Sequence, residues 1–111
     1  MPYLNIVTNH VIDDEAALLK AASHVVSQAT GKQETYVMVS TLYNPHMLMG
    51  GSSSPLAFLD YRALGLPAER TPFSDVLCQL IADQLSIPGD RVYISMTDSE
   101  RQNWGWNHQT F

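Results

Sequence analysis

A proline at position 2 is the residue of this chain with the clearest chemical potential. A small residue in second place permits removal of the initiator methionine, and the Pro2 nitrogen then becomes a free secondary amine. An internal proline nitrogen is an amide without an N–H. A terminal one can take or give a proton. Residues that could work with it are Lys32, Tyr36, Tyr93 and the tail Asn103-Trp104-Gly105-Trp106-Asn107. Lys32 follows Gly31 at the end of a helical pattern, where a cation also complements the helix dipole. Tyr93 alternates out of step with Val92 and Ile94, so one of these two sets faces away from the helices. The two tryptophans supply apolar surface for packing or for an interface.

Other chemistries find little support. His10, His24, His46 and His108 have no metal-ligand spacing, so no metal site is expected. Cys78 sits among apolar helical positions and reads as an inert buried thiol. The stretch Gly50-Gly51-Ser52-Ser53-Ser54-Pro55 lacks the lysine and the spacing of a P-loop and precedes a strand, so it reads as a turn.

The elements that must position these residues repeat one order. Residues 3–8 form an apolar, partly β-branched run, read as a strand. Asp13 and Asp14 then offer an N-cap, and Leu18, Leu19, Ala22, Val25, Val26 and Ala29 recur at helical spacing. Gly31 is a natural residue for the end of that helix, expected over about 14–30 and ~25 Å long. Residues 36–42 read as a second strand. The second half gives a strand at 56–61, then a helix entered through Thr71 as N-cap with Pro72 at its first position. Its apolar stripe is Phe73, Val76, Leu77, Leu80, Ile81 and Leu85. A Pro88-Gly89-Asp90 turn leads to a strand at 91–96.

Two β-α-β repeats predict an α/β (α+β) domain with a four-stranded mixed sheet and two helices on one face. The other sheet face then lacks a cover, although residues 36–42 and 56–59 are apolar at consecutive positions. Self-association through the sheet would supply one. The 111 residues suit a single domain, 1–111, that buries roughly two-thirds of its unfolded surface. Charged residues make up 15% against 45% hydrophobic, a low charge density that also suggests covered surface.

The net charge of −5 and six scattered Lys/Arg leave no basic cluster, which excludes non-specific nucleic-acid binding but not a small anionic substrate. One cysteine excludes an internal disulfide and a CxxC pair. No stretch approaches the ~20 apolar residues of a membrane span. No basic segment followed by an apolar run opens the chain, so a signal peptide is not expected and the cytoplasm is the natural setting.

Five blocks in order resemble the macrophage migration inhibitory factor family of the tautomerase superfamily. They are Pro2; Gln28-Ala29-Thr30-Gly31-Lys32; Gly50-Gly51-Ser52-Ser53 before a proline; Asp90-Arg91-Val92-Tyr93-Ile94; and Gly105-Trp106-Asn107 before Thr110-Phe111. The resemblance runs nearly the full length without long gaps. It implies a homotrimer with sheets lining an inner barrel, helices outside and an active site at each subunit boundary. It implies a cofactor-independent keto–enol tautomerase for compounds such as phenylpyruvate, an enolisable aryl pyruvate. In that scheme Pro2 is the base and Lys32 binds the substrate carboxylate. Leu64 sits where the family usually has isoleucine in the pocket, Tyr36 and Phe111 complete apolar walls, and Tyr93 comes from the neighbouring subunit.

The physical logic agrees. A free α-amine titrates near ~7.7–8.0, and an apolar pocket and a nearby Lys⁺ both lower that value, toward a neutral base at working pH.

The chain also departs from the family. Ser95 stands where the well-known animal members have asparagine near the pocket, and Trp104 where they have a smaller aliphatic residue. Arg62 replaces a histidine, and Leu56 and Leu59 occupy the positions of a CxxC found in some members, so thiol-oxidoreductase activity is not supported. These changes bear on substrate preference more than on reaction type. A competing class is a cytokine-like signalling or interaction protein with a vestigial pocket. A dehalogenase or decarboxylase of the superfamily would add arginines and a water-activating carboxylate, yet no arginine precedes Arg62.

Overall fold

The structure is a computed structural model that describes residues 1–111. Its elements run in the order β1 (Tyr3–Thr8), α1 (Glu15–Thr30), β2 (Met38–Tyr43), β3 (Ala57–Ala63), α2 (Arg70–Leu85), β4 (Val92–Asp98), β5 (Gly105–Trp106) and β6 (Gln109–Thr110). The four long strands form one mixed sheet in the order β2-β1-β3-β4. β1 is parallel to β2 and antiparallel to β3, and β3 is parallel to β4. No helix is long and apolar enough to cross a membrane.

Local chemistry explains most boundaries. Asp14 caps α1 by accepting the Ala17 N–H at 3.0 Å. Gly31 ends it with φ 72°, and its N–H reaches Ser27 O. Several expected boundaries shift by one or two residues, three of them at element starts with a local cause. The second strand begins at Met38 and not at Tyr36, because Glu34–Tyr36 winds into a single 3₁₀ turn before Met38 N–H meets Pro2 O at 2.9 Å. α2 begins at Arg70 and takes Glu69 as its uncapped entry residue, so Thr71 lies inside the first turn. Pro72 is tolerated there because first-turn N–H groups have no intrahelical partner. Gly89–Arg91 is a 3₁₀ turn, and the last long strand starts at Val92.

The sheet alternates as a one-sided strand set should. Leu4 and Ile6 of β1 and Leu59 and Tyr61 of β3 point into the core. Leu18, Ala22 and Val26 of α1 and Phe73, Leu77 and Ile81 of α2 meet them there in one cluster. Both helices therefore cover one face. The other face is not uniformly apolar. Its middle is polar: Tyr3 OH lies 3.0 Å from Ser40 Oγ, Ser40 Oγ donates to Asn5 Oδ1 at 2.8 Å, and Arg62 pairs with Asp60 at 2.8 Å. Around that middle lie Met38, Leu42, Phe58 and Tyr93, with Met38 65% and Tyr93 63% exposed.

Arg91 ties the long β2–β3 connection to the start of β4. Its guanidinium donates to the carbonyls of Met49 (2.8 Å), Ser52 (3.0 Å), Ser54 (2.8 Å) and Pro55 (3.4 Å). That connection and Tyr93 enclose an apolar cavity of roughly 300 Å³.

Candidate active site

Pro2 is fully buried at the head of β1, where its carbonyl joins the sheet through Met38 N–H. Beside it opens a cavity of roughly 260 Å³ lined by Met1, Pro2, Tyr36, Met38, Trp104 and Trp106, among others. Its walls come from three places: the N-terminus, the turn after α1, and the segment leading into β5. Tyr36 meets Trp106 edge-on, with ring centroids 6.3 Å apart and planes at 83°. Phe111 stacks behind Trp106 at 6.1 Å and 16°. The β5–β6 hairpin and the Phe111 N–H bond to Trp104 O (3.2 Å) bring Phe111 back to that place.

Lys32 reaches the site from the end of α1. The left-handed Gly31 turns the chain, and Ser27 Oγ donates to Lys32 O at 2.7 Å, which fixes the residue after the turn. The ammonium then donates to Leu64 O. The terminal amine titrates below its ordinary value of 8.0, chiefly because burial disfavours the cation and further because Lys32⁺ is close. In this chain that amine belongs to Met1, so it stands in for the amine Pro2 would carry after processing.

The sequence-derived residues divide into three groups. Pro2, Tyr36 and Trp104 line one cavity. Lys32, Leu64 and Phe111 flank it: Lys32 by its charge on the amine, Leu64 by its carbonyl, and Phe111 through Trp106. Tyr93 and Ser95 stand apart on β4. Tyr93 is level with Phe58, which is level with Val7, five residues along β1 from Pro2. That offset is roughly 17 Å along the strands, with two strand spacings of roughly 5 Å across them. Ser95 is level with Asp60 and, through it, Asn5. Within one chain neither side chain can reach Pro2.

Sequence reasoning named Trp106 within the tail but gave it no place in the site, and it did not identify Met38. The signal for Trp106 was its Gly105-Trp106-Asn107 setting. Met38 carried none, because it enters through the β1–β2 register. No group of three or more His, Cys, Asp or Glu side chains is placed to hold a metal ion.

A family model described as macrophage migration inhibitory factor matches residues 1–111. A macrophage migration inhibitory factor homolog from Brugia malayi is 37% identical over 114 residues, covering 100% of this chain and 99% of the relative. The crystal structure of a homologue from Prochlorococcus marinus superposes with a TM-score of 0.91 at 30% identity over 98% of each chain. The factor from Trichinella spiralis also gives 0.91, at 28% identity over 98% of this chain and 99% of that one.

Proposed function

The chain belongs to the macrophage migration inhibitory factor family, and on that premise we propose a cofactor-independent keto–enol tautomerase of the phenylpyruvate type that uses Pro2, freed of Met1, as its general base. The observation that carries this reading is the terminal amine itself. It lies beside an aromatic-walled cavity and is held toward its neutral form by burial and by Lys32.

In the reaction, the neutral Pro2 nitrogen takes a proton from the carbon next to the substrate carbonyl. The C–H electron pair forms the C=C bond, and the carbonyl pair moves onto oxygen. That oxygen then takes a proton, from the Pro2 cation or from water with Pro2 releasing its proton to solvent, which gives the enol and leaves Pro2 neutral again; the reverse path returns the ketone. Lys32 pairs with the substrate carboxylate and offsets charge on the developing enolate. Tyr36, Trp104 and Trp106 give the aryl ring flat apolar surface, with Phe111 behind them and Leu64 fixing Lys32. Tyr93 and Ser95 enter from a neighbouring copy in a homotrimer. Their distance from Pro2 within one chain and the exposed apolar rim of the sheet support that assembly.

The experiment is C3 proton exchange and enol–keto turnover of phenylpyruvate by processed protein and by a Pro2 variant. Turnover that persists undiminished when the Pro2 nitrogen is blocked as an amide rejects the base. The family's name favours a second reading, a signalling protein with a vestigial pocket. Processed, trimeric protein without measurable turnover would favour it.

A further inference from the structure

One peptide group at the rim of this site has a charged partner at each end. The carbonyl of the Leu64–Gly65 peptide accepts from Lys32 Nζ, and the N–H of the same peptide donates to Asp98 Oδ1 at 2.9 Å. We propose that Asp98 is a positioning residue for Lys32, acting through the Leu64–Gly65 peptide. Its catalytic consequence rests on the tautomerase reading; its structural content does not.

The fold places Asp98 where this role requires. Asp98 closes β4 level with Ala63, the last residue of β3, and Ser99 N–H donates to Ala63 O at 2.9 Å. Arg62 is level with Tyr3, so this end of the sheet is also the Pro2 end. Gly65 has φ +80°, a conformation that side-chain-bearing residues rarely adopt. The chain therefore turns sharply after β3, and the orientation of one peptide plane decides where Leu64 O points. A carboxylate on the N–H holds that plane. It also polarises the amide and makes the carbonyl a better acceptor for an ammonium.

An ammonium has three N–H donors and a flexible stem. Leu64 O engages one of them and leaves two free for a substrate carboxylate. Without Asp98, the peptide can rotate and the ammonium loses its fixed point. Asp98 touches neither substrate nor Pro2, so its effect must run through Lys32.

The test is a double-mutant cycle on the full-length, Met1-processed protein. Asp98 is exposed, so its replacement should leave the fold intact. Asp98→Ala should raise KM for an aryl pyruvate about two- to tenfold, the range one hydrogen bond carries, and leave kcat nearly unchanged. Asp98→Asn keeps an acceptor oxygen and should recover most of the loss. In a Lys32→Ala background, Asp98→Ala should add nothing to KM. An equal rise in both backgrounds, or none in either, overturns the proposal. NMR relaxation of the Lys32 ammonium supplies a readout without turnover. Faster motion in Asp98→Ala supports the proposal and unchanged motion overturns it, whereas absence of turnover in the unmutated protein counts only against the tautomerase reading.

Discussion

Tyr36 and Trp106 meet edge-to-face, 6.3 Å between ring centroids, and so join the turn after α1 to the β5–β6 hairpin. Trp106→Ala removes this contact and the Phe111 stack together. Aromatic pairs of this kind contribute about 0.5–1.5 kcal/mol each beyond area burial. The expected result is a fall in kcat/KM for aryl pyruvates on the order of tenfold, equivalent to about 1.4 kcal/mol. It should be carried mainly by KM, which steady-state kinetics would show.

Lys32→Ala should lower kcat/KM roughly ten- to a hundredfold, since a hydrogen bond to a charged group contributes about 1.5–3 kcal/mol. It should also move the acid limb of the pH–rate profile. The base works only when neutral, so activity rises with pH through the amine pKa. Lys32⁺ lowers the pKa of the Met1 amine, which stands in for the Pro2 amine; its removal should shift the limb to higher pH. An unchanged rate and an unmoved limb in correctly assembled protein would reduce Lys32 to a helix-end cation.

Retention of Met1 should silence the enzyme, because it turns the Pro2 nitrogen into a tertiary amide. Loss of a general base costs on the order of 10²–10⁴-fold in rate. Pro2→Gly should be milder, since it leaves a primary amine close to the same place. Intact-mass measurement beside kinetics on each form decides this, and equal rates in processed and fully Met1-retaining protein would falsify the mechanism.

Phe58→Asp should weaken assembly. Phe58 lies level with Tyr93 on the uncovered face of the sheet and is partly exposed in the single chain. A charge there would be buried in any sheet-to-sheet contact, at a cost of several kcal/mol. Light scattering should then show the 12.4 kDa monomer, and turnover should fall with the loss of the neighbour's Tyr93. Unmutated protein that is monomeric at micromolar concentration would remove the trimer from the proposal.

Tyr61→Phe should be neutral or stabilising. The Tyr61 ring meets Phe73 edge-on, its hydroxyl is buried without a hydrogen-bond partner, and burial pushes its pKa up to about 12. An unsatisfied buried polar group costs about 1–3 kcal/mol. Urea denaturation should show an equal or higher midpoint in the variant, and a clear drop would mean that the hydroxyl has a partner in solution.

What could be read from the sequence was whatever a few neighbouring residues decide. Asp14 and Gly31 mark both ends of α1 because capping is local. Tyr36 looked like strand because aromatic and β-branched residues surround it, but pairing starts only where β1 offers Pro2 O. Thr71 looked like a cap, yet helical geometry extends to Arg70 without one. The β5 and β6 strands have two residues each, too few for any alternation to show. In the candidate site, Pro2 and Lys32 stood out by type and position, and the roles proposed for them came from the family resemblance. The Trp106 stack and the Asp98–Gly65 bond were not, since each depends on segments that only the finished sheet brings together.

Arg91 gives the Met49–Pro55 segment an unusual mechanical character. Four carbonyls of a stretch with little ladder bonding of its own converge on one guanidinium. Release of that group would free them together, so the stretch should open as one cooperative unit and not fray residue by residue. Its amides should then exchange with a common opening rate, and that rate belongs to the Gly89–Arg91 turn, whose last residue carries the guanidinium and leads into β4. The wall of the apolar cavity beside Tyr93 is thus only as durable as the turn into the strand that presents Tyr93.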